Sequence, residues 1–176
     1  MTAGDRVGIL GVGGLGHLAI QFAAKMGCEV VVFSGTDSKK DEATKLGAHE
    51  FYATKGLKEL QLKGGKGIDR LLVTSSVQVD WSMYLNIMNP RSVIYPLSVS
   101  EGDLSLPYMP LLVNGIRVQG SVTGSRQIHR EMLEFAAVQG IKPILRIFPM
   151  TKKGIDEAFR TLEDGKMRYR GVLTAQ

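Results

Sequence analysis

The stretch Val7-Gly8-Ile9-Leu10-Gly11-Val12-Gly13-Gly14-Leu15-Gly16 runs from a short apolar segment directly into a cluster of glycines. The apolar run reads as a buried strand, and the glycines end it abruptly. Beyond them Leu15, Leu18, Ala19, Phe22, Ala23 and Met26 recur at three- and four-residue intervals. That is one face of a helix, with Gly27 placed to close it as a C-cap. Gly11, Gly13 and Gly16 satisfy G-x-G-x-x-G between that strand and that helix, the setting in which the motif predicts a dinucleotide loop. Gly11 would permit the tight turn and Gly13 would let the backbone approach a pyrophosphate. Gly16 would let helix and strand pack closely, with the helix N-terminus facing the anion. The alternative is an unliganded structural turn.

Outward from this unit, strands and helices alternate. Glu29–Phe33 is rich in β-branched residues and predicts a second strand. A helix over Ser38–Leu46 is closed by Gly47, and His49–Ala53 predicts a third strand. The glycine- and lysine-rich stretch Lys55–Gly67 is read as a helix. Further strands are expected near Ile68–Thr74, Arg91–Leu97 and Ile116–Val122. Helices are expected at Val79–Met88, Met109–Val113 and Arg126–Gln139. Such alternation predicts an α/β fold, a doubly wound six-stranded parallel sheet covered on both faces. The tail differs. A strand over Ile144–Phe148, a helix face of Ile155, Ala158, Phe159 and Leu162, and a last strand at Arg170–Thr174 come after the sheet is complete.

The end of the second strand selects the coenzyme. An Asp or Glu there would bind the 2′-hydroxyl of NAD. Here the strand runs out into Ser34-Gly35-Thr36-Asp37-Ser38-Lys39-Lys40, with serine at the deciding position. A carboxylate would repel a 2′-phosphate, while a hydroxyl with nearby lysines would bind it, so the expected coenzyme is NADP. Asp37 sits where a helix N-cap is wanted, with Ser38 as the competing cap. Lys39 and Lys40 could also be simply the solvated start of a helix.

Composition bounds the rest. The 176 residues suit one domain with a little to spare, and 44% apolar against 22% charged residues is ordinary for a globular protein. No apolar run approaches the roughly 20 residues needed to span a bilayer, and no leader pattern opens the chain, so a cytoplasmic location is expected. Cys28 is the single cysteine, which excludes an internal disulfide. His17, His49 and His129 are scattered, with no spacing that suggests a metal site. The net charge of +5 suits a phosphorylated ligand. Its cations are dispersed, without the motifs of a nucleic-acid binder.

Taken together, these motifs resemble the cinnamyl alcohol dehydrogenase group of the zinc-type medium-chain alcohol dehydrogenases. The resemblance rests on Ala3–Ile9, the loop Gly11–Gly16 followed by His17, and Ala23–Gly27. It continues through Ser34–Lys40, Leu46–Ala48 and the closing Glu163–Arg170. It implies pyrophosphate contacts from Gly11, Gly13, Gly14, Leu15 and Gly16, and 2′-phosphate contacts from Ser34, Thr36 and Lys39. Thr74, Ser75 and Ser76 would lie along the adenosine and ribose. Pro96, Leu97 and Ser98, with Ser121, Val122 and Thr123, would meet the nicotinamide. Arg170 would help hold the pyrophosphate, with Arg168 as the competing choice. A homodimer through an edge strand at Asp103–Pro107 is also implied.

The family carries an N-terminal catalytic domain with zinc ligands, and none of those ligands occurs here. The resemblance therefore implies the coenzyme-binding half alone. Residues 1–140 would form the NADP-binding domain, and 141–176 a tail that completes the absent domain. Zinc is expected of the full-length family and not of this chain, which by itself is expected to be inactive. No residue earns a catalytic role; Tyr95 and His129 read as structural. The parent reaction would be hydride transfer between NADPH and a primary alcohol or aldehyde, aromatic ones included. The alternatives are a piece of a zinc-independent quinone or enoyl reductase, or a non-enzymatic NADPH-binding module. A methyltransferase is disfavoured by the three-glycine spacing.

Overall fold

In a computed structural model, which describes residues 1–175, β1 (Arg6–Leu10) leads into α1 (Gly16–Lys25), and β2 (Glu29–Ser34) pairs parallel to β1. The chain continues through α2 (Lys40–Lys45), β3 (Glu50–Ala53), β4 (Ile68–Val73), α3 (Trp81–Leu85) and β5 (Met88–Pro96). α4 (Tyr108–Asn114), β6 (Arg117–Val118) and α5 (Arg126–Gln139) follow. The six strands lie in the order β3-β2-β1-β4-β5-β6, every pairing parallel. This is the doubly wound arrangement expected from the sequence, with the chain reversing its direction of winding between β1 and β4. β7 (Leu145–Pro149), α6 (Lys152–Glu163) and β8 (Arg170–Thr174) form a separate unit whose two strands pair with each other.

Alternation along β2 explains how both faces are filled. Val30 and Val32 point into one cluster with Val7, Ile9, Ile20 and Ala23 of β1 and α1. Val31 and Phe33 point into the other, with Leu71, Val73, Trp81, Tyr84 and Ile94. Each valine, isoleucine, leucine or phenylalanine buried here contributes about 1.5–3 kcal/mol. Tyr169, just before β8, packs buried into the α1 face of the sheet.

Five expectations fail in detail. Lys55–Gly67 is not a helix; it is irregular, with one 3-10 turn at Lys63–Gly65. Gly56, Gly64 and Gly65 all take positive φ, which breaks any helical run. The helix expected at Val79–Met88 shrinks to Trp81–Leu85, capped by the Asp80 carboxylate on the Ser82 amide at 3.0 Å. Met88 pairs with Ile68 instead, and Pro90 bars a helical conformation just before it. β6 spans only two residues, because Gln119 makes the last ladder bond, to Ile94, and Gly120 follows. Neither Asp37 nor Ser38 caps a helix: a 3-10 turn at Asp37–Lys39 intervenes, starting after Thr36. Asp103–Pro107 forms no strand in the monomer and runs irregularly into α4.

Candidate functional site

All the strand ends that the sequence singled out meet along the carboxyl edge of the sheet. In open α/β sheets a ligand crevice forms there, at the point where the winding reverses. Gly11 leaves β1 with φ +98°, a left-handed conformation, and its amide donates to the Phe33 carbonyl at 2.8 Å. Gly16 begins α1, and a Cβ built on it would lie 2.0 Å from the Gly11 carbonyl oxygen. Between them, the N–H groups of Gly13, Gly14 and Leu15 have no acceptor among the described residues. They stand at the positive end of the α1 dipole, a set of donors suited to a phosphate.

Thr74 and Ser75 brace this loop from β4. The Thr74 hydroxyl donates inward, to the carbonyls of Leu10 at 3.0 Å and Gly11 at 2.9 Å. Its proton is thereby spent on shaping the loop. The Ser98 hydroxyl donates to the Ser75 carbonyl at 2.8 Å, and the amides of Leu97 and Ser98 both reach the Val73 carbonyl. Ser75, Ser76, Pro96 and Ser98 line one depression with Trp81. Leu97 and Ser121 line a second, farther along the edge. Val122 and Thr123 are fully outside it on an exposed loop, Val122 being 97% exposed.

At the end of β2, Ser34 is half-buried and Thr36 is exposed, its hydroxyl paired with that of Ser38 at 3.0 Å. Lys39 does not point away into solvent. Its ammonium donates to the Val12 carbonyl at 2.7 Å and lies 5.6 Å from the Tyr169 ring centre. Burial, and then the nearby Arg168 charge, hold the Lys39 ammonium below the usual lysine value. The Arg170 guanidinium covers Gly14, within 3.2–3.3 Å of where a Cβ would stand, a tight approach that glycine leaves open. Arg168 turns elsewhere, its Nε 3.4 Å from a Glu42 oxygen. Of the two arginines, Arg170 is thus the one beside the glycine loop.

Three residues of this neighbourhood escaped the sequence reading. His17, fully buried, bonds the Gly13 carbonyl through Nδ1 at 3.0 Å and the Ile144 amide through Nε2 at 3.2 Å. Tyr169 stacks on its ring at 4.7 Å and donates its hydroxyl to Glu42. A histidine after a glycine loop and a tyrosine between two arginines were visible, but their pairing spans more than a hundred residues and leaves no local pattern.

Among the described residues, no group of three or more His, Cys, Asp or Glu side chains could hold a metal ion, and no helix is long and apolar enough to cross a membrane. The residues here do not fit zinc. They do fit a dinucleotide, on the strength of the open loop amides flanked by Lys39 and Arg170.

Residues 14–138 match the family model described as zinc-binding dehydrogenase. The chain is 35% identical to an aldehyde reductase of Synechocystis sp. over 96% of its own length and 49% of that protein's. It superposes on a cinnamyl alcohol dehydrogenase of Sorghum bicolor with a TM-score of 0.88 at 30% identity, covering 98% of this chain and 48% of that one. It also superposes on a cinnamyl alcohol dehydrogenase of Helicobacter pylori solved in complex with NADP(H), with a TM-score of 0.81 and the same identity and coverage. The chain spans about half the length of the relatives it matches.

Proposed function

The chain belongs to the zinc-binding dehydrogenase family, as the coenzyme-binding half of a medium-chain alcohol dehydrogenase, and from that premise we propose that it binds NADP(H) for hydride exchange with a primary alcohol or aldehyde. The observation that carries the coenzyme choice is the end of β2. There Ser34 stands where a carboxylate would select NAD, and the Lys39 ammonium is held between strand end and glycine loop by the Val12 carbonyl.

Each residue then has a defined task. The free amides of Gly13, Gly14 and Leu15 receive the pyrophosphate, and Arg170 neutralises it from above Gly14. Ser34, Thr36 and Lys39 meet the 2′-phosphate. Ser75 and Ser76 line the adenosine side. Leu97, Ser98 and Ser121 border the depression where the nicotinamide would be oriented. The bound coenzyme supplies the hydride, and this chain supplies its placement. The division at residue 140, with the following segment completing a separate catalytic unit, belongs to the same proposal.

The deciding experiment is a fluorescence titration with NADPH and NADH. Charge-assisted hydrogen bonds contribute about 1.5–3 kcal/mol each, so NADPH should bind on the order of 10- to 100-fold more tightly. Ser34→Asp should remove most of that preference by setting a carboxylate against the 2′-phosphate. Equal affinities in the wild-type chain would defeat the NADP assignment, and absence of binding to either would defeat the whole reading.

A further inference from the structure

Tyr169 lies on the far side of the chain in sequence, yet it is 96% buried against the two elements that frame the glycine loop, with 4% of its surface exposed. Its contacts form a closed circuit. The Gly13 carbonyl can only accept a hydrogen bond and the Ile144 amide can only donate one. His17 between them must therefore carry its proton on Nδ1 and present a lone pair at Nε2. The Ile144 carbonyl in turn accepts from the amides of both Tyr169 and Arg170, each at 3.2 Å. The Tyr169 ring stacks on His17, 4.7 Å away and 15° from parallel, which returns the circuit to its start. Its hydroxyl reaches across to Glu42 of α2.

Arg170 follows immediately and is exposed, and its guanidinium rests on Gly14. Nothing on Arg170 itself accounts for that placement. No side-chain hydrogen bond or ion pair from it exists among the described residues. A long, free arginine would lose much of its contribution to the entropy of being held in one place.

We propose that Tyr169 is a positioning residue for coenzyme binding, which, seated on His17 and Glu42, fixes the start of β8 so that Arg170 is delivered onto the phosphate loop. This rests on the coenzyme reading above and deepens it. The tail is then part of the binding site because its backbone is registered to Gly13 through His17 and Ile144, although only Arg170 reaches the ligand. Burial, and then the bond to Glu42, raise the Tyr169 phenol well above its ordinary range, which keeps it a donor to Glu42 near neutral pH.

The test is a double-mutant cycle on NADPH affinity, using Tyr169→Ala and Arg170→Ala in the full chain. Losing the Arg170 contact should weaken NADPH by about tenfold. Tyr169→Ala should cost a similar factor, and the double variant should lose about tenfold in total, far from hundredfold, because the two act as one unit. Tyr169→Phe keeps the stacked ring and loses only the bond to Glu42. It serves where Tyr169→Ala does not fold, and should show a loss of about threefold that vanishes in the Arg170→Ala background. Additive losses in a chain that binds NADPH would overturn the positioning role and leave the coenzyme reading intact. A wild-type chain that binds neither NADPH nor NADH would overturn both.

Discussion

Gly16→Ala is expected to cost this protein about 3 kcal/mol or more and to abolish useful coenzyme binding. The added Cβ would stand 2.0 Å from the Gly11 carbonyl oxygen, 3.0 Å from its carbon and 2.8 Å from the Thr74 hydroxyl. Two of those atoms are backbone and cannot swing aside. The first turn of α1 would have to retreat from β1 by about an ångström, and overpacking against rigid neighbours sits at the costly end of its usual range. The same retreat would pull apart the Thr74 bonds to Leu10 and Gly11. For a chain of this size the melting temperature should fall by about 6–12 °C. NADPH affinity should fall at least tenfold, because the loop amides would no longer converge. Gly13→Ala is the matched control. A Cβ there meets nothing within 4 Å, so its melting temperature should stay within about 2 °C of wild type. A Gly16→Ala protein with unchanged melting and unchanged NADPH affinity would refute the close approach.

That contrast also marks how much of the site was readable in advance. The glycine loop could be read because its logic is local: a strand, a sharp turn and a helix within the twenty residues Arg6–Lys25, with Gly11 and Gly16 each answering to a backbone need. The doubly wound sheet was legible for a similar reason, since apolar strands alternated with helices from β1 to β3 and again between β4 and β5. The serine at the end of β2 was equally visible, being one position on one strand. What failed were short elements whose length depends on partners. β6 stops at Val118 because the Gln119 amide makes the last bond to β5, on the Ile94 carbonyl, and Gly120 follows. α3 stops at Leu85 because Met88 is claimed by Ile68. Lys55–Gly67 was read as a helix, but it only anchors Leu60 and Leu62 on the core, between glycines with positive φ. The Lys39–Val12 bond and the His17–Ile144 bond were out of reach for a different reason. Each joins a side chain to a backbone atom, and no residue type announces which carbonyl or amide it will meet.

The second large effect is expected at His17, and it separates by pH. Replacing it with leucine keeps the volume roughly but leaves the Gly13 carbonyl and the Ile144 amide buried without partners. At about 1–3 kcal/mol for each, His17→Leu should lose about 2–6 kcal/mol in urea denaturation at pH 8. The wild-type advantage should shrink in acid. Burial holds the His17 imidazole below its ordinary value, the Gly13 carbonyl opposing and the Arg170 charge assisting. The unfolded chain takes up that proton near pH 6.5, and the folded chain resists until a lower pH. Below about pH 6.5 the unfolded state therefore binds more protons, and stability declines as pH falls toward and through the folded value. A proton added at Nε2 would face the Ile144 N–H and drive the tail from the loop. Other titrating groups are present in both proteins and cancel in the difference. The gap between wild type and His17→Leu should thus be widest above about pH 7 and narrow by up to about 1.4 kcal/mol per pH unit below pH 6.5. A gap that stayed constant from pH 8 to pH 5.5 would mean that His17 does not bridge the two groups as a neutral ring. The coupling between tail and glycine loop would then have to rest on the Tyr169 ring against α1 and on the Arg170 guanidinium over Gly14.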